Sequence, residues 1–372
     1  MIPLFKVHMP KGVDKKLSKV LYSGFIGQGK QVEVFESLLS RFFNNRNILS
    51  LNSATSALFL ALRLINLKPG DEIISTPMTC TATNMPIFSF GVKIIWADVN
   101  PITGLIDIND IEKKITKKTK AIMLVHFGGI PCDVIKINKL ARKFNIKVIE
   151  DAAHALGSEF KNRKIGNYSD FVVFSLQAIK HITTGDGGIL VCKKREDYKR
   201  GKLLRWFGIN RDEKRNDFRC ENDIKEYGYK FHMNDLAATI GIEQMKYLKN
   251  IIIKNNSNAK FFTQKLKSIK GIGLINIPPG ARPSYWIFTI HIYKEGNRDH
   301  FIKWMAKNKI MTSRVHERND IHTAFSEFQT KLPNLDKFNS TQVSIPVGWW
   351  LKKTDLNYIA KKIIKYSTLF LN

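Results

Sequence analysis

The chain has 372 residues, 44% of them hydrophobic, and carries a formal net charge of +28; this length predicts two domains, or one large domain with a smaller C-terminal one, around a sizeable core. No run approaches the roughly 18 uninterrupted apolar residues of a membrane span, and MIPLFKVHMPKG lacks a secretory apolar region, so a cytoplasmic protein without membrane insertion is expected. The lysines are spread beside Ile and Asn, as in KKITKKTK and YLKNIIIKNN, with no basic arm or recognition helix; nucleic-acid binding is therefore not expected, whereas an anionic, phosphate-bearing substrate would profit from the same field.

Lys16 to Gly29, KLSKVLYSGFIGQG, ends in a Gly-punctuated turn, and residues 32–43 place Val34, Phe35, Leu38, Leu39, Phe42 and Phe43 at helical spacing. Asn47 to Leu51 reads as a short strand that feeds NSATSALFLALRLINL. Its small and hydroxyl residues, Asn52 to Ser56, would let a phosphate approach free amides at a helix start; an ordinary N-cap has the same pattern. Strands and helices then alternate through DEIIS, TCTATNMPIFSF, VKIIWADV, INDIEKKIT, KAIMLVHF, VIKINKLARKF and IKVIED. Apolar strands separated by amphipathic helices predict a mostly parallel sheet covered on both faces. Asn52 to Ser56, Met78 to Thr83 and Glu150 to His154 would then share the rim at the strands' C-terminal ends. No Gly-x-Gly-x-x-Gly fingerprint occurs, which argues against a nicotinamide enzyme.

Asp151 closes the strand VIE and precedes AAHA, so a carboxylate stands at the rim with His154 three residues later; an N-cap is the competing reading, and Glu150 is expected to point the other way. Lys180 lies between the apolar runs Phe171–Phe174 and Ile189–Cys192, ahead of the turn Gly185 to Gly188. An amine held there in a low-dielectric pocket loses proton affinity and becomes a nucleophile toward carbonyls. An Arg-rich segment follows Leu190, and HMNDLAATIGIEQMKYLKNIIIKNN has the long periodicity of a helix linking two lobes. From Phe261 the order is helix, strand (SYWIFTIHI), helix, strand and terminal helix, a smaller α+β unit; the division is expected near 250, giving domains 1–250 and 251–372. Cys80, Cys132, Cys192 and Cys220 form no CxxC pair and have no His at ligand spacing, so reduced thiols and no metal site are expected.

In order, SGFIGQG, NSATSALFLAL, TPMTCTATN, EDAAHALGSEFKNRKIGNYSD, FSLQAIKHITTGDGG, GYKFHMNDLAATIGIEQ, SYWIFTI and IPVGWW make a set that resembles the pyridoxal-phosphate sugar aminotransferases of the DegT, DnrJ and StrS group, from about residue 20 to the end. The resemblance implies an α/β fold of type I: a large domain with a mostly parallel seven-stranded sheet, a small C-terminal α+β domain, and two active sites at a homodimer interface. It implies that Lys180 carries the cofactor and later shuttles the proton, that Asp151 partners the pyridine nitrogen, and that His154 reaches the ring's 3-oxygen. Ala54, Thr55 and Ser175 match the phosphate cradle. Cys80 stands where many members place an aromatic ring, and Lys230, His232 and Asn234 occupy the segment from which an Asn commonly reaches the partner subunit's cofactor.

Because Lys180 is present, with His181 only its neighbour, the resemblance implies an aminotransferase rather than the branch that has His for that lysine and dehydrates sugars. The implied donor is glutamate, with pyridoxamine phosphate as the intermediate cofactor form. The acceptor is a nucleotide-linked keto-deoxysugar, with a 4-keto-6-deoxysugar favoured and a 3-keto sugar or dehydration as alternatives; a basic nucleic-acid-binding regulator is the reading from another class. Ile26, Gly27, Arg314 and His316 are candidates for the sugar and diphosphate, together with Arg318; a solvated basic loop reads the same way.

Overall fold

A computed structural model describes residues 1–214, 217 and 223–371; Cys220 lies outside the described residues. Helices α1 (Val13–Leu21) and α2 (Lys30–Phe43) precede the first strand. Helix α2 buries Val32, Phe35, Leu39 and Phe43, a stripe at helical spacing that leaves Val34 exposed. Alternation continues as expected: β1 (Ile48–Leu51), α3 (Ala54–Leu64), β2 (Glu72–Ser75), α4 (Thr81–Phe88), β3 (Lys93–Trp96), α5 (Ile108–Lys114), β4 (Thr119–Val125), α6 (Val134–Lys143) and β5 (Lys147–Asp151). Two short ribbons, β6 (Glu159–Phe160) and β7 (Arg163–Lys164), lead to β8 (Phe171–Ser175) and β9 (Gly188–Cys192).

Seven of these strands form one sheet in the order β1-β9-β8-β5-β4-β2-β3. All neighbours are parallel except at β9, which runs antiparallel to both β1 and β8. The sheet is covered on both faces, and β8 and β9 show why their apolar runs are unbroken. Phe171, Val173, Leu190 and Cys192 join one apolar cluster, with Leu62, Ile74 and Ile122. The alternate residues Val172, Phe174, Ile189 and Val191 join another, with Phe35, Phe43 and Leu248. The period of two along a strand thus feeds two cores at once.

After α7 (Arg195–Leu204) comes α8 (Asp235–Leu266), 32 residues and roughly 48 Å long at 1.5 Å per residue. Asn234 caps it, its side chain accepting the Ala237 N–H at 2.9 Å. Residue 250 lies inside this helix, so the expected division falls on a continuous rod: Leu248 packs with the large sheet and Phe262 with the smaller C-terminal one. In that smaller sheet β10 (Ile272–Leu274), β12 (Phe288–Ile292) and β13 (Gln342–Ile345) run antiparallel, while β11 (Ala281–Arg282) pairs with β6 instead. Helices α9 (Asn297–Lys307) and α11 (Lys353–Phe370) cover the small sheet through Phe301, Ile363 and Tyr366. The stretch before and within α10 (Pro333–Thr341) returns to the large sheet, placing Phe325, Leu335 and Phe338 in its core. On the way it crosses the rim, where the Asn319 N–H donates to the Pro77 carbonyl at 2.8 Å.

Candidate active site

Because β2, β4, β5 and β8 run parallel, their C-terminal ends converge, and a cavity of about 310 Å³ opens there. Seven of the residues expected from sequence line it: Ala54, Thr55, Asp151, His154, Ser175, Lys180 and His316. Ile26, Gly27, Lys230, Asn234 and Arg314 do not, and each has a local reason. Ile26 is exposed, and Gly27 uses its carbonyl to accept the Asp235 N–H. Asn234 caps α8 through its side-chain oxygen, the exposed Lys230 offers its carbonyl to the Asn52 side chain, and Arg314 pairs with Glu317 at 2.6 Å. Arg318 is pinned between Asp320 and Asp336.

Asp151 ends β5 and is buried. Its Oδ1 accepts the Ala153 N–H at 3.0 Å, a turn two residues on, so the competing N-cap reading gives way to an Asx turn with no helix behind it. Its Oδ2 accepts the Thr83 hydroxyl at 2.6 Å. Each oxygen keeps a lone pair for the cavity.

Lys180 sits in the loop that leaves β8 and returns as β9. That loop is pinched at its root, where Leu176 N–H donates to the Gly187 carbonyl and Thr184 N–H to the Leu176 carbonyl. Burial pushes the Lys180 ammonium down to about 8, against the nearby negative charge of Asp151, which favours the protonated form. Its Nζ lies 3.7 Å from the ring centroid of Trp286. The indole Nε1–H of Trp286 donates to the carbonyl of Ile179 at 2.8 Å, so the same ring grips the backbone beside the lysine.

A layer of rings extends from there. Trp286 stacks on Phe5 at 4.7 Å and on His154 at 3.8 Å. His154 in turn lies parallel to His316 at 5.3 Å, with their Nε2 atoms 3.4 Å apart. Burial, then the charge of Lys180, holds both imidazoles low, His316 at about 4. Two neutral rings can share one proton between facing nitrogens. His154 Nδ1 is buried without a hydrogen-bond partner among the described residues.

At the other end, helix α3 starts over the cavity. Ser53 caps it, accepting the Ser56 N–H at 3.0 Å, and the first-turn amides of a helix have no partner within it. The N-cap reading of this turn is therefore what the structure shows, with the helix start at the cavity. Gly188 lets the helix descend so far: a Cβ there would lie 2.3 Å from the Ser53 carbonyl oxygen.

Sequence reasoning singled out neither Trp286 nor Thr83. Trp286 was visible only as an aromatic with a polar tip in a strand, and Thr83 only as one hydroxyl among several. Cys80 lines the cavity at the N-cap position of α4, and the rings beside Lys180 come from Trp286 and His154 instead. His181 is buried outside the cavity lining, 3.1 Å from the Ser284 carbonyl, as a neighbour pointing away. Among the described residues no His, Cys, Asp and Glu cluster could hold a metal, and no helix is long and apolar enough to cross a membrane.

A mostly parallel sheet with one reversed strand, and an amine opposite a rim carboxylate, define a transferase of fold type I. The model of the DegT/DnrJ/EryC1/StrS aminotransferase family matches residues 9–364, and the chain belongs to that family. A UDP-4-amino-4,6-dideoxy-N-acetyl-beta-L-altrosamine transaminase of Helicobacter pylori is 34% identical over 95% of this chain and 94% of its own. The crystal structure of AtS13 from Actinomadura melliaura superposes with a TM-score of 0.93 at 36% identity, covering 98% of each chain. Spr1654 of Streptococcus pneumoniae, named a putative sugar aminotransferase, has been solved in a PLP form, 25% identical with a TM-score of 0.92 over all of both chains, and in a PMP form.

Proposed function

We propose that this aminotransferase uses pyridoxal 5'-phosphate to move an amino group from glutamate to a nucleotide-linked 4-keto-6-deoxysugar, giving a 4-amino-4,6-dideoxysugar nucleotide for glycan assembly. The observation that carries the reading is the amine of Lys180, held near 8, and the carboxylate of Asp151 around one cavity at the sheet's rim. The cavity's other fittings support it: free lone pairs on Asp151, an orphaned Nδ1 on His154, and a helix start brought close by Gly188. When bound, the cofactor supplies an aldehyde that takes up amines and a ring that accepts the electron pair left on carbon by proton removal.

The chain's own residues do the rest. Asp151 holds the ring nitrogen protonated and so keeps the ring an electron acceptor. Ala54, Thr55 and Ser175 bind the phosphate, with the α3 amides as donors. His154, stacked on the Trp286 indole, would hold the ring's 3-oxygen. Lys180 would hold the cofactor through its amine, and its free amine would move the substrate proton; with its affinity near 8, roughly a tenth of that amine is the base at pH 7 and half at pH 8. His316 sits between His154 and the solvent side, where the sugar enters. The 4-keto position follows the 4-amino product in the name of the H. pylori relative. Ile26, Gly27, Lys230 and Asn234, which lie off their own chain's cavity, complete the second site of a homodimer in the cytoplasm.

The purified protein should take up pyridoxal phosphate with a visible absorbance band that bleaches on adding glutamate, and the amino form should then aminate a nucleotide 4-keto-6-deoxysugar. Lys180→Ala should lose turnover altogether. Full glutamate turnover by that variant would refute the assignment, and consumption of the sugar with no amine incorporated would identify a dehydratase.

A further inference from the structure

We propose that Thr83 is a positioning residue, which fixes the carboxylate of Asp151 through a relay of two hydroxyls running from Thr79 through Thr83. The inference rests on the reading of Asp151 as the cofactor's nitrogen partner.

Thr83 is fully buried in the first turn of α4. A helical threonine ordinarily returns its hydroxyl proton to a backbone carbonyl one turn back. Here the proton goes to Asp151 Oδ2 at 2.6 Å, across 68 residues of sequence. Thr79 Oγ1 lies 2.7 Å from Thr83 Oγ1. A hydroxyl has one proton, and that of Thr83 is spent, so Thr79 is the donor and the relay has a direction. Each bond in such a chain polarises the next toward the carboxylate.

Thr79 is itself held in place. Its carbonyl accepts the Asn319 side-chain N–H at 2.8 Å, and Asn319 Oδ1 accepts from Asn84 Nδ2, also at 2.8 Å. Asn84 Oδ1 takes the Ser75 hydroxyl at 2.6 Å. All four side chains are buried. The terminal torsion of an Asp is broad and nearly two-fold, so one buried hydroxyl on Oδ2, opposite a backbone N–H on Oδ1, decides which lone pairs face the cavity. The segment that supplies Asn319 also supplies His316, and so the carboxylate's aim is tied to the wall on the sugar side.

The test measures pyridoxal phosphate binding by the visible band, the pH midpoint of that band, and thermal melting, in the wild type and in Thr83→Val, Thr83→Ser and Thr79→Val. Thr83→Val keeps the shape and removes the donor; it should bind the cofactor about tenfold more weakly and move the midpoint, with melting close to wild type. Thr83→Ser should restore both within about twofold, and Thr79→Val should lose about threefold. Wild-type affinity and midpoint in Thr83→Val would overturn the proposal, as would a Thr83→Ser protein as poor as Thr83→Val, which would assign the effect to the methyl group. If Thr83→Val does not fold, Thr79→Val decides, and unchanged binding there overturns the relay. A wild type that forms no band refutes the cofactor reading beneath it, and is distinguishable because no variant is then needed.

Discussion

Glu150 and Asp151 are consecutive on β5, and strand geometry sends their side chains to opposite faces of the sheet. Glu150 is wholly buried, with Oε2 2.9 Å from His126 Nε2. His126 Nδ1 accepts the Cys132 N–H at 3.0 Å, so the ring's proton is on Nε2 and is donated to Glu150. The remaining oxygen, Oε1, is buried without a hydrogen-bond partner among the described residues. Asp151, one residue on, has a donor on each oxygen and still faces open volume. The contrast separates two uses of a buried acid. One is sealed against a single partner, where it locks β5 to the turn after β4; the other is held by donors from behind and keeps its remaining lone pairs for a ligand.

Substitutions should pull these uses apart. Asp151→Asn, which keeps the shape but cannot hold a pyridine nitrogen protonated, should slow amine transfer by about 10³-fold with little change in melting temperature; steady-state rates beside a thermal melt check this. Glu150→Ala should do the reverse. It leaves the His126 N–H buried and unpaired and should cost about 3 kcal/mol of stability, read as a lower urea midpoint, while the folded fraction keeps its turnover within about twofold. Loss of turnover in Glu150→Ala without loss of stability would erase the distinction.

The smallest of the three effects concerns the amine that Asp151 faces. Lys180 falls from an ordinary 10.5 to about 8 on folding, so between those values the unfolded chain binds more protons than the folded one, and stability rises with pH across that window. Below about 8 the penalty is present in full. Lys180→Met should therefore stabilise the cofactor-free protein at pH 7 by about 1–3 kcal/mol, discounted for the part of the side chain that water reaches, and the gain should vanish toward pH 10.5. Urea midpoints of both proteins across that range measure it. A gain independent of pH would place the cause in packing.

Asp151, Lys180 and the start of α3 were legible in the sequence because each is a local pattern: an acid ending an apolar strand, an amine between two such strands, small residues ahead of a helix. The mostly parallel sheet was legible for the same reason, its seven strands followed from the family resemblance, and the turn of Glu150 to the face opposite Asp151 followed from strand alternation. Trp286 and Thr83 were not, since what matters in them is a partner 107 residues away for one and 68 for the other. The substrate side was least legible. Arg314 and His316 stand two residues apart in one basic loop, and nothing local tells which is paired with Glu317 and which stacks on His154. The periodicity of α8 announced a helix linking two lobes, and Leu248 and Phe262 do join different cores; which of its residues face which core depends on what packs against them.

The reversal of β9 carries one more consequence. In a wholly parallel sheet, a chain leaving the rim after β8 would have to travel back along a crossover before pairing again, and only one end of that excursion would be anchored beside the ligand. Because β9 runs the other way, Leu176 to Gly187 departs from and returns to the same rim. The amine of Lys180 is thus mounted on an arch with both feet on the sheet, and an arch, unlike a cantilever, resists displacement of its crown from either side.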